Sequence, residues 1–76
     1  MEKSQFYRLV EEAASLDAGA VKGGEALAEL RWDSLAVVSF IGLVDEQLGV
    51  TLEPKRVSAC KSVEDLVALL DGKVTG

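Results

Sequence analysis

The sequence predicts an all-α fold, a small four-helix bundle of three main helices and a short third helix, with a long loop after the first. Three observations predict it. Apolar residues recur at helical spacing over residues 3–16, 34–48 and 62–71. Start and stop signals stand at Asp33, Gly49, Pro54 and Ser62, where those stripes begin or end. The 76 residues contain no internal repeat, low-complexity tract or linker, so residues 1–76 read as one domain.

The first helix, residues 3–16, carries Phe6, Leu9, Val10, Ala13 and Leu16 on one stripe, with Glu11 and Glu12 off it. Residues 17–32 break the pattern, because Gly19, Gly23 and Gly24 weaken any continuous helix. Val21, Leu27 and Leu30 are spaced as anchors that pin this long loop to the core, and Ala26 to Leu30 suits a short turn. A loop of this length in a small domain is often functional. Asp33 is a good N-cap for the second helix, 34–48, and Gly49 a typical residue just past its end. Pro54 fits the first position of a short helix, 54–59. Ser62, with Asp65 three residues on, resembles a capping box. It opens the last helix, 62–71, with Val63, Leu66, Val67, Leu69 and Leu70 as the apolar face. The end, Gly72 to Gly76, is expected to fray.

Composition excludes several classes of function. At 49% hydrophobic and 28% charged the chain is globular. A domain this small buries only about 60% of its unfolded surface, and a deep catalytic pocket would consume much of the core. The net charge of −5 argues against nucleic-acid binding and favours basic partner surfaces. Residues 49–61 are locally basic, with Lys55, Arg56 and Lys61 against Glu53. There is no histidine, which removes His-activated nucleophile chemistry, and no metal-ligand cluster. A single cysteine, Cys60, forbids a disulfide within the chain. The N-terminus lacks an apolar signal region, and the longest apolar run, Leu35 to Val44, is too short for a bilayer. These features point to a cytoplasmic, monomeric protein that is not an enzyme and not embedded in a membrane.

Ser34 is the residue of most interest. With about 100° per residue and Ser34 at zero, Val37, Phe40, Ile41, Val44 and Leu48 fall within about 240–340° and form the core stripe. Leu35, Val38, Ser39, Gly42, Asp45 and Glu46 fall within about 20–140°, on the outward face. Ser34 therefore sits at the edge of that face, in the first turn. Free backbone N–H groups and the positive dipole end make this position hospitable to a phosphate. Leu35 and Val38, with Asp45 and Glu46 beyond, read as a small apolar docking patch rimmed by acids. Gly42 costs the helix about 1 kcal/mol relative to alanine; close approach by a partner or close packing within the fold would each explain it.

Asp33-Ser34-Leu35, opening an apolar helix after a Gly-containing loop, resembles the attachment motif of acyl carrier proteins. Leu27, Leu30 and the WDSL run precede the serine as in that family, Leu48-Gly49-Val50 ends the second helix in register, and Phe6–Leu16 and Val63–Leu70 match its first and last helices. The resemblance implies that Ser34 carries 4′-phosphopantetheine, taken from coenzyme A by a phosphopantetheinyl transferase with Mg²⁺, with Asp33 as its motif neighbour. It implies acyl groups held as thioesters on the arm. It implies partners that load or use them, such as ligases, synthases and acyltransferases, recognising the second helix through Leu35, Val38, Asp45 and Glu46. Fatty-acid carriers usually have more acids along that helix, where Ala36 and Ser39 stand here, and an acidic third helix, where Lys55 and Arg56 stand. Trp32 before Asp33 resembles specialised stand-alone carriers of polyketide, lipopeptide, modified-lipid or cell-envelope pathways; a primary fatty-acid carrier is the alternative. Asp33 fits acyl or D-alanyl carriers better than peptidyl ones, where glycine often precedes the serine.

Plainer readings stand beside these. Asp33 is also simply an N-cap, Asp45 and Glu46 solvated charges, and Lys55 and Arg56 exposed bases. Cys60 reads as a small buried apolar residue, and Trp32 as packing the loop against the bundle. A competing class is an unmodified helical adaptor docking through Leu35 and Val38, which would tolerate Ser34→Ala.

Overall fold

Apolar helical faces meet around two phenylalanines, Phe6 and Phe40, whose rings pack edge-to-face at 5.8 Å and 86°. The computed structural model describes residues 1–70 and 72–74. Its helices are α1 (Lys3–Ala13), α2 (Ser34–Leu48), α3 (Pro54–Ala59) and α4 (Val63–Leu69), with a 3₁₀ turn at Leu27–Glu29 inside the long loop. α1 packs on α2, and α3 packs on both α2 and α4.

α1 buries Phe6, Leu9, Val10 and Ala13, as their spacing predicts. It ends before residue 16, however. Ser15 takes the left-handed conformation, φ 57°. The Ser15 N–H then donates to Glu12 O at 3.3 Å and the Leu16 N–H to Glu11 O at 2.7 Å. That bond pair is a Schellman stop, built here on a serine, which is why no glycine announced it. Leu16 packs half-buried against the core instead of extending the stripe.

Glu11, expected off the apolar stripe, is buried at 5% exposure. Its Oε2 accepts the N–H groups of Gly19 and Val21, each at 3.0 Å, so α1 clasps the loop that follows it. Farther on, Glu25 accepts the N–H groups of Lys22 and Gly23, both at 2.8 Å. At Gly23, φ is 118° and a Cβ would meet Tyr7 Oη at 2.5 Å, so both conformation and space call for glycine. The loop then pairs with the start of α4. Leu27 N–H donates to Lys61 O at 2.8 Å and Val63 N–H to Glu25 O at 3.1 Å, a single antiparallel bridge at Ala26 and Ser62. Val21, Leu27 and Leu30 are buried anchors, as their spacing predicts.

α2 buries Ala36, Val37, Phe40 and Val44, while Ile41 and Leu48 are half-buried. The inward face is rotated from the expected stripe toward Ala36, which is buried and lines a groove with Ala13 and Ala14 of the α1 end. Gly49 ends α2 at φ 67°. Cys60, expected to be buried, is only half-buried, since it caps α3 at its rim. Before α4, Ser62 Oγ accepts the Asp65 N–H at 3.2 Å, but Asp65 Oδ2 accepts from Lys61 N–H at 2.9 Å. The return bond of a capping box thus falls one residue upstream of Ser62. α4 ends at Leu69 rather than 71; Asp71 lies outside the described residues.

The expected fraying is corrected for Gly72–Val74. Val74 is buried at 8% exposure, and the Met1 ammonium donates to Lys73 O at 3.0 Å. Thr75 and Gly76, the rest of that expectation, lie outside the described residues. Among the described residues, no helix is long and apolar enough to cross a membrane.

Candidate functional site

The start of α2 is built by Asp33. Its backbone is extended, φ −102° and ψ −175°, and its Oδ1 accepts the Ala36 N–H at 2.9 Å. Its carbonyl accepts the Val37 N–H at 3.0 Å, the first bond of the helix. Ser34 is the first helical residue, and it is exposed. By helix geometry the Ser34 and Leu35 N–H groups have no acceptor within α2, so an exposed hydroxyl stands beside free donors.

Leu35 and Val38 are the exposed large hydrophobic residues, at 74% and 64%. The loop covers neither. Gly42 follows them on the same face, and a Cβ there would meet nothing within 4 Å. Close packing within the fold is therefore not the reason for this glycine. Asp45 and Glu46 are exposed on the last turns, about 17–18 Å along the axis from Ser34 at about 1.5 Å per residue. The structure thus groups Asp33, Ser34, Leu35 and Val38 at one end of α2 and sets the acids at the other. A shallow groove lined by Glu12, Ser39, Gly42, Leu43 and Glu46 lies between α1 and this face.

A second groove, of about 190 Å³, runs from Ala13, Ala14 and Ser15 across to Arg31, Asp33, Leu35 and Ala36. Arg31 stands there at φ 56°, a left-handed residue two positions before the cap. Trp32 packs the loop onto the bundle, its ring 5.4 Å from that of Phe40 at 68°. Its Nε1 atom is buried and, among the described residues, has no acceptor. No sequence signal marks that orphaned donor, because it depends on what surrounds the ring.

Cys60 is a free, half-buried thiol at the end of α3. Burial, and then the Asp65 charge, push its thiol up, so the thiolate is scarce at neutral pH. The thiol donates to Arg56 O at 3.4 Å. Lys55 and Arg56 are exposed on α3. Among the described residues, no group of three His, Cys, Asp or Glu side chains stands close enough to hold a metal ion.

A phosphate ester fits Ser34: the residue is exposed, the flanking N–H groups have no acceptor within α2, and two grooves open between α2 and the end of α1. Residues 4–70 match the family described as phosphopantetheine attachment site. No curated protein and no solved structure gives a significant match. Proteins of this family are carriers with covalently attached 4′-phosphopantetheine, and they work with phosphopantetheinyl transferases and acyl-handling enzymes. Since the match runs through the helices and across the Asp33–Ser34–Leu35 start of α2, the chain belongs to the phosphopantetheine attachment site family.

Proposed function

We propose that Ser34 is the residue that takes 4′-phosphopantetheine, and that the chain is a single carrier domain presenting acyl intermediates to partner enzymes. The observation that carries this reading is the exposed Ser34 hydroxyl at the first position of α2, inside the matched region. Ser34 Oγ attacks the coenzyme A phosphorus that bears pantetheine. An Oγ–P bond forms, the pyrophosphate P–O bond breaks, and adenosine 3′,5′-bisphosphate leaves. The serine proton passes to a base of the transferase, and this chain has no histidine to take it. The free N–H groups and the dipole of α2 then stabilise the phosphodiester charge by about 0.3–1 kcal/mol. Once attached, the group supplies a terminal thiol that holds an acyl chain as a thioester.

Leu35 and Val38 form the apolar contact for partners, Gly42 lets a partner backbone approach closely, and Asp45 and Glu46 meet basic side chains. Few acids on α2 and the exposed Lys55 and Arg56 favour a specialised lipid, polyketide or related pathway in the cytoplasm over primary fatty-acid synthesis. Ala36 does not enter that argument, because at 2% exposure its apolar character follows from packing.

The deciding experiment is intact-protein mass after incubation with coenzyme A, Mg²⁺ and a broad-specificity transferase. One phosphopantetheinyl increment is expected on the wild type and none on Ser34→Ala. An unmodified, folded wild type would overturn the reading. The second reading, an unmodified adaptor, draws on the same exposure of Leu35 and Val38. It predicts partner binding that survives Ser34→Ala and fails in Leu35→Ser/Val38→Ser.

A further inference from the structure

We propose that the buried Trp32 indole N–H is a hydrogen-bond donor for an oxygen of the phosphopantetheine arm or of the acyl group it carries. The proposal rests on Ser34 as the attachment residue.

Trp32 is the chain's single tryptophan. Its contact with Phe40 is made by the indole body, which a phenylalanine ring would largely reproduce. What tryptophan adds is an N–H that only donates. That atom is buried without an acceptor among the described residues. A buried donor left unpaired is destabilising, and buried tryptophan N–H groups ordinarily find a partner. Among the described residues, no atom of the fold uses this donor.

Position points to the missing acceptor. Trp32 stands two residues before Ser34, on the irregular segment between Arg31 and the Asp33 cap. Among the described residues, no hydrogen bond from backbone or ring holds Trp32, so packing alone holds the indole. The side chain is half-buried, and rotation about its own torsions shifts it without breaking a backbone bond. A group tethered at Ser34, two residues on, would meet this donor at high effective concentration once the indole turns toward it. The chemistry selected is an uncharged oxygen in apolar surroundings. The arm offers amide carbonyls; the cargo offers its thioester carbonyl and any 3-oxo or 3-hydroxy group. A saturated hydrocarbon tail offers nothing to this N–H.

The single indole makes the test direct. The ¹⁵N-labelled protein gives one indole Hε1 signal, recorded for the apo form, the phosphopantetheinyl form, and forms loaded with a saturated acyl or a 3-hydroxyacyl group, each verified by mass. The signal is expected to move downfield and exchange more slowly with water at the step that supplies the acceptor. Movement on phosphopantetheinylation assigns the acceptor to the arm. Movement on loading either acyl group assigns it to the thioester carbonyl, and movement with the 3-hydroxyacyl group alone assigns it to the cargo substituent. Trp32→Phe, which keeps the ring contact, is expected to hold the apo melting temperature at or above wild type. It is also expected to lose the rise in melting temperature that accompanies the downfield step. An indole signal unmoved through all four verified forms, or an undiminished rise in Trp32→Phe, overturns the proposal and leaves Ser34 as the attachment residue. Absence of any mass increment removes the Ser34 assignment, and this proposal with it.

Discussion

Asp33 shapes the site through one oxygen, which closes the N-terminus of α2 around the Ala36 N–H. Asp33→Ala is expected to lower stability by about 1 kcal/mol, readable in urea denaturation. Gly42 gives the opposite sign. Open space surrounds it, so Gly42→Ala is expected to raise stability by about 1 kcal/mol through helix propensity. If a partner backbone needs that space, the same variant slows acyl transfer with a cognate enzyme while remaining better folded. Equal transfer rates would assign Gly42 no part in docking. Leu35 and Val38 belong beside it: they are exposed, so replacing them with serine is expected to change stability little, and under the proposed docking role to weaken partner binding.

At the scale of elements, the long loop is organised by two carboxylates. Glu11 reaches from α1 to two N–H groups, one of them buried. Glu11→Ala is expected to cost about 2–3 kcal/mol, since hydrogen bonds to a charged acceptor are lost and a buried donor is left unpaired. Urea denaturation, with hydrogen exchange at Gly19 and Val21, reads it. Glu25 is held below the usual carboxylate range by the N–H groups of Gly23 and then Lys22. Its charged form is favoured in the fold, so its contribution is present above the unfolded value near 4.3 and is lost as pH falls through the lower folded value. Glu25→Gln is expected to flatten the acid limb of melting temperature against pH below about 4.3. A limb of unchanged steepness would show that other groups set it.

Across the whole molecule, Met1 and the segment of Lys73 and Val74 meet on the bundle. Val74 fills the core and the Met1 ammonium caps Lys73 O. Removing two buried methyl groups with Val74→Ala is expected to cost about 1.6 kcal/mol at about 0.8 kcal/mol per buried carbon. A frayed end would show no change.

The bundle and the start of α2 were legible before any coordinates, because helical period, N-caps and glycine stops are local properties. Asp33, Gly49, Pro54 and Ser62 act on backbone groups within a turn of themselves, and the Ser34 environment follows from Asp33 alone. Tertiary structure decided the rest. Ser15 ends α1 in a conformation its side chain does not favour, Ala36 is buried outside the expected stripe, and Glu11 finds its donors eight and ten residues away. The Ala26–Ser62 bridge and the burial of Val74 join parts of the chain that no sequence window contains, and the burial of Trp32 Nε1 without a partner among the described residues is decided by packing too. Each depends on which surfaces meet, and that is settled only when the helices pack.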